Sequence, residues 1–347
     1  MTTPPASPLI PSEAHIDELG ELIAGLPGML GFVPDHSLVL STFTRQGGPF
    51  LGPTIRVDLP DDNDDRRELV DQLGNVMARN DVVSATIVVV CGGNADPPDL
   101  PHSELIDMVT EKFAHLDVRL THAAWVPSIE LGGIWWCYQC DDCAGRIHDP
   151  GTSTIAAVHA VEGMVTFASR DEMRDVLAPD DEDRVAHRAQ LLAAYAEGMD
   201  EDASSLRAEV TATVEFAASH PALPELDDEQ IARLSIALSN QQVRDHCLTL
   251  CVTGNPSGAE RLWTVLTRTV PTPERAVPAT LLGLCAYLRG SAVLASMALE
   301  IALDSEPDLR LALLLRTCID RGTPPDEVLG MVETSAGMAS NDSREEV

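Results

Sequence analysis

Near residue 150 the hydrophobic pattern of this 347-residue chain changes period. Before it, short β-branched runs alternate with turn residues; after it, almost unbroken helical spacing continues toward the C-terminus. Strand side chains repeat a face every two residues and helical ones about every 3.6, so one packed layer cannot bury both patterns. The prediction is an α/β domain with a mixed sheet over residues 1–150 and a helical connecting region over 151–228. An all-helical domain over 229–335 and a disordered tail over 336–347 complete the expected chain.

Within the first part, Ser12 to Ile23 has helical spacing, and the Gly- and Pro-rich segment Leu26 to Pro34 is expected to end that helix. Ser37–Phe43 and Pro53–Leu59 read as strands joined through Gln46-Gly-Gly-Pro49, which predicts an antiparallel pair. The acidic run Pro60 to Asp65 opens a helix reaching about Ala78, where carboxylates suit the positive end of the helix dipole. Ser84–Val90 is almost wholly apolar, as expected of a strand covered on both faces. A helix over Pro101–Leu116 and a strand over Val118–Val126 follow, so a parallel crossover unit is predicted. Ile134–Tyr138 adds a hairpin or edge strand, and a helix is expected from Ser153 toward Phe167.

The last hundred residues contain a repeat. Gly254, Ala259, Trp263, Leu266 and Pro271 recur as Gly290, Ala295, Leu299, Ala302 and Pro307, a constant offset of 36. Glycine permits a tight turn between helices, alanine permits close approach, larger residues fill the groove and proline stops the second helix. With Leu282-Gly283 upstream, residues 276–309 resemble a tetratricopeptide helix pair, although Ala279 and Ala286 stand where that family favours Trp and Tyr. An ordinary helical bundle is the alternative.

Charge narrows the partners. The formal net charge is −32, from 55 acidic against 23 basic residues, and Lys112 is the sole lysine. Such a field repels phosphate backbones and anionic lipid, so neither nucleic acid nor membrane is an expected partner. Solubility or a saline interior explains the acidity equally well. The absence of a signal-peptide pattern and of a 20-residue apolar window predicts a cytoplasmic protein, in which eight cysteines would be reduced.

Three segments could carry chemistry. Cys91-Gly92-Gly93-Asn94 follows the most apolar strand, at the edge where α/β sheets hold ligands, but it matches neither nucleotide-binding glycine pattern. Trp135-Trp136-Cys137-Tyr138-Gln139-Cys140-Asp141-Asp142-Cys143, followed by His148, has donors suited to tetrahedral zinc. Cys140, Cys143 and His148 are the minor metal candidates there, because recruiting Cys137 requires a sharp bend after Tyr138. The aspartates between Asp58 and Asp65 do not match a calcium loop and are expected to cap a helix. His36 and His122 each fall near a strand, without a nucleophile elbow or a zinc-protease helix to accompany them. His246 is read as a helix-surface or inter-helix contact.

Leu26–Val39, Arg56-Val-Asp-Leu-Pro60 and Trp135–Cys140 together resemble the actinobacterial DUF4192 family, and Leu282 through Pro307 with Gly322-Thr-Pro-Pro325 resemble its helical tail. The resemblance spans nearly the whole chain and implies an intracellular protein with no reaction to transfer. It favours Cys140 over Cys137, where family members often carry serine.

Two functions remain in view. The first is a binding or scaffold protein whose helical hairpins engage a peptide or protein partner. The other is a small-molecule enzyme or sensor whose ligand site comprises Asp58, Cys91, Gly92, Gly93, Asn94, Trp135 and Trp136 at the sheet edge. Neither reading requires a cofactor.

Overall fold

The computed structural model describes residues 18–44, 50–80, 82–93, 99–140, 142–161, 165–196, 202–220 and 225–334. It divides into two compact units, one ending at Arg170 and the other beginning at Asp171.

The first unit is built on a six-stranded mixed sheet in the order β2-β1-β3-β4-β5-β6. β1 (Ser37–Thr44) lies between β2 (Phe50–Asp58) and β3 (Val82–Val90), antiparallel to both. β3 and β4 (Arg119–Val126) are parallel and joined through α3 (Ser103–His115), as the sequence predicts. β5 (Ile134–Cys137) and β6 (Ala144–Arg146) form a short antiparallel hairpin at the far edge.

Strand alternation sorts the apolar side chains onto two faces. Leu38, Leu40, Ile87, Val89, Ala123 and Trp125 share a core with Leu73 and Met77 of α2 (Asn63–Arg79) and Val109 and Phe113 of α3. Asp62 caps α2 by accepting from the Asp64 and Asp65 amides. That bond gives the acidic run its local role.

α1 (Leu19–Leu30) corrects the expected early stop: it continues through Pro27 and ends at Gly31, whose φ is 81°. Its apolar surface is buried almost all round, and this burial outweighs the local cost of Gly25, Pro27 and Gly28. An added Cβ at Gly20 would lie 2.2 Å from the Arg146 carbonyl, so glycine is what lets α1 reach the hairpin. The proposed start of this helix at Ser12 lies outside the described residues. α4 (Thr154–Val161) also stops before Phe167. Phe167 instead pairs with the chain after α1, donating to the Gly31 carbonyl and accepting from Val33. Those tertiary backbone bonds replace the helical ones expected there.

The second unit is helical, with α6 (Glu182–Ala196), α7 (Ala203–Ser219), α8 (Asp228–Ala237), α9 (Gln241–Val252), α10 (Pro256–Thr269), α11 (Ala276–Leu288), α12 (Ala292–Ser305) and α13 (Arg310–Asp320). α5 (Arg170–Asp175) stands at the division between the units. Residues 325–334 form a last described helix.

The corresponding residues of the two segments share burial and turn conformation. Ala259, Trp263 and Leu266 are buried, as are Ala295, Leu299 and Ala302. Gly254 and Gly290 turn the chain with φ of 80° and 93°, a region a side chain enters at a cost. α11 and α12 pack intimately, with an added Cβ at Gly283 only 3.0 Å from Leu299 Cγ. The preceding pair differs, since α10 packs more closely on α7 and α11 than on α9.

Candidate functional site

Sheet topology gathers distant segments at one edge. Because β1 runs against β3 with Ser37 opposite Val90, the residues entering β1 meet those leaving β3. Asp58 stands opposite Ser37 on the other side, and Val126 ends β4 beside Val90. Asp35, His36, Asp58 and Cys91 therefore share the carboxyl edge of the parallel pair, the ordinary ligand-bearing edge of α/β sheets.

His36 and His102 close over this edge, with ring centroids 6.4 Å apart in an edge-to-face arrangement. Both have positive φ, 45° and 58°, an uncommon conformation for non-glycine residues. Arg66, from the first turns of α2, donates to Asn63 and to Glu104. Its Nε and the Nδ1 of His102 are buried without a protein partner. Burial, then Arg66 and His36, lower the His102 pKa, so the imidazole is neutral at neutral pH. A second guanidinium is already committed: Arg56 donates to Ser37 Oγ at 2.8 Å and pairs with Asp58 at 2.7 Å.

Cys91 lies beneath this cluster. Its sulfur and carbonyl both face Trp125 Nε1, at 3.2 and 3.1 Å. Burial pushes the thiol up, Trp125 pulls it down and Asp35 adds to the rise. The result is a protonated thiol, opposite to the activation that a cysteine nucleophile requires. Tyr138 donates to the Pro101 carbonyl at 2.6 Å, tying the end of β5 to the turn that presents His102. Gly92 and Gly93 follow Cys91 at this edge and are exposed, whereas Asn94 lies outside the described residues.

Adjacent tryptophans take opposite faces. Trp136 stacks on Trp125 at 5.2 Å, in the core beneath the cluster, while the Trp135 indole lies against Gly145 and α1. The structure thus brings Asp58 and Cys91 to one edge and Cys91 and Trp136 to one face, whereas the Asp58 side chain, paired with Arg56, and Trp135 lie on the opposite face. His122 is exposed along β4. Arg66, His102 and Tyr138 complete the cluster without being singled out by sequence motif. Their sequence separation conceals a meeting produced by helix and strand packing.

A second constellation occupies the β5–β6 hairpin. Cys137, Cys140 and Cys143 place their sulfurs within 4.8 Å of one another. The chain reverses after Tyr138, and the Cys137 amide donates to the Cys143 carbonyl at 2.9 Å. The Gln139 amide donates to Cys137 Sγ at 3.3 Å. Burial raises the Cys137 pKa, an effect partly opposed by the Gln139 and Cys140 backbone. His148 is not in the group; it faces Glu18 at 3.7 Å.

Among the described residues, two of the concavities lie in the helical unit. One, of about 500 Å³, lies between α7 and α9 and is lined by Arg207, Glu215 and His246, among others. The smaller, about 160 Å³, includes Arg244, Glu274 and Glu306. His246 bonds Thr211 at 2.8 Å across α7 and α9, making it an inter-helix contact. Among the described residues, no helix is long and apolar enough to cross a membrane.

No curated protein and no solved structure matches the chain. A family model described as a domain of unknown function, DUF4192, matches residues 20–326, a span that includes the sheet, both constellations and most of the helical unit. The chain belongs to the DUF4192 family.

Proposed function

We propose that the carboxyl edge of the sheet binds a small ligand bearing an oxyanion, a carboxylate or phosphate group. The observation carrying this reading is the buried Arg66 Nε beside His102, whose own Nδ1 also lacks a protein partner. Buried polar groups ordinarily have partners, and an oxyanion is complementary to a guanidinium N–H and to an imidazole N–H. His36 and the exposed Gly92-Gly93 backbone supply the outer part of the site.

The protonated Cys91 thiol favours recognition over attack by a thiolate. Reading the site as a sensor therefore asks less of the chemistry than reading it as a cysteine enzyme. Calorimetric titration with inorganic phosphate and with succinate provides the test. Saturable binding weakened by about tenfold or more, roughly 1.4 kcal/mol, in Arg66→Gln and His102→Asn supports the site. Asparagine retains access to positive φ. Failure of both probes to bind, or equal affinity in folded variants, overturns it.

A partner-binding reading has separate support. The seating of α12 against Gly283 resembles a tetratricopeptide pair, and Leu313 and Leu314 are exposed on α13. A basic peptide would be attracted by the acidic field. Titration of a labelled basic amphipathic peptide against wild type and a folded Leu313→Glu/Leu314→Glu variant tests that reading. No binding, or undiminished binding to the variant, counts against it.

A further inference from the structure

We propose that Cys137, Cys140 and Cys143 form a three-thiolate site for one zinc ion, with the remaining tetrahedral position open to water or an external ligand. Their C-x2-C-x2-C spacing is placed on a reversing hairpin, and all three sulfurs converge within 4.8 Å. A tetrahedral ion with zinc–sulfur bonds of about 2.3 Å holds its sulfurs about 3.8 Å apart. A small closing movement suffices.

The hairpin also supplies an outer shell. The Gln139 N–H directed at Cys137 Sγ would stabilise negative charge on that sulfur after metal binding. Cys137 is buried, Cys143 is half-buried and Cys140 is exposed. This gradient gives an ion access from solvent while anchoring one ligand in the fold. Binding exchanges thiol protons for the ion: each coordinated thiol releases H⁺, the ion loses bound water, and no oxidant or reductant is required.

The structure selects a ligand set different from Cys140, Cys143 and His148. His148 is directed to Glu18, and the hairpin's backbone bond between Cys137 and Cys143 draws the first thiol into the group. The chemical consequence is a compact soft-donor site. It would brace a sheet edge whose last two strands contain only four and three residues.

The test uses the full chain, freshly reduced, stripped with a chelator and reconstituted anaerobically with zinc or cobalt. The expected result is one zinc retained per chain through gel filtration. Cobalt should give a thiolate charge-transfer band with tetrahedral ligand-field bands. Cys140→Ser and Cys143→Ser should lose stoichiometric metal, whereas His148→Ala should retain it. Wild-type cobalt spectra keep the test independent of variant folding. Failure of reduced wild type to take up zinc, absence of the thiolate band, or full retention by both cysteine variants overturns the proposal.

Discussion

His36 and His102 face one another with ring centroids 6.4 Å apart, each on a left-handed stretch of backbone. The contact joins the entry to β1 with the start of α3. It also makes the sheet edge responsive to protonation, because the partly buried His102 is held below its ordinary pKa by desolvation, Arg66 and His36.

Protonating His102 should therefore weaken the fold. Its folded-state pKa is lower than its unfolded value of about 6.5, so the unfolded chain binds more protons between them. Stability is fully present above that unfolded value and falls as pH drops toward the lower folded value. His246, lowered by burial and then Arg207, contributes with the same sign in the helical unit. Denaturant unfolding at pH 7 and 5.5 should show this loss, and His102→Asn should reduce it. An unchanged pH dependence would remove His102 as a contributor.

Gly258 and Gly283 should respond differently to alanine. At Gly258 a Cβ would meet the Val214 carbonyl at 2.4 Å and Ala218 Cβ at 2.8 Å, contacts that require backbone movement. Gly258→Ala should cost about 1–3 kcal/mol. At Gly283 the nearest atom is Leu299 Cγ at 3.0 Å, part of a side chain that can shift. The helix gain of roughly 1 kcal/mol offsets much of that strain, so Gly283→Ala should remain near neutral. Paired thermal and denaturant unfolding measurements check the ordering.

Arg188→Met should destabilise the helical unit. The arginine side chain is 1% exposed and reaches Asp180 at 2.9 Å and Asp228 at 2.7 Å. It also donates to the Thr269 carbonyl. Removing the cation leaves two partly buried carboxylates without that partner, with an expected loss of about 3 kcal/mol. A loss below 0.5 kcal/mol, roughly the scale of ordinary surface substitutions, would contradict this assignment.

Tyr138→Phe tests the connection between β5 and the proposed ligand edge. Its hydroxyl donates to Pro101, immediately before His102. The substitution should cost about 1 kcal/mol and weaken phosphate or succinate binding while preserving the fold. Unfolding and calorimetric titration separate those effects. Unchanged values in both measurements would show that this bond neither braces nor positions the edge.

Much of the first unit was legible because neighbouring residues encode it. Ser84–Val90 is too continuously apolar for a one-sided strand, and Asp62 precedes a helix whose amides it can cap. The glycines at 254 and 290 likewise announce turns through a local backbone requirement. Pro27 misled because its local cost is outweighed by burial around α1, and Phe167 misled because distant backbone partners recruited it from a helix.

By itself, the sequence determined the change from mixed sheet to helices, most strand identities and the inter-helix glycine turns, since these depend on short-range periodicity and allowed φ. Tertiary structure alone decided that Arg66, Cys91 and His102 share an edge, that Trp136 rather than Trp135 meets Trp125, and that Cys137 replaces His148 in the thiol group. Those relations depend on strand order, register and chain reversal, which no local spacing of residues fixes.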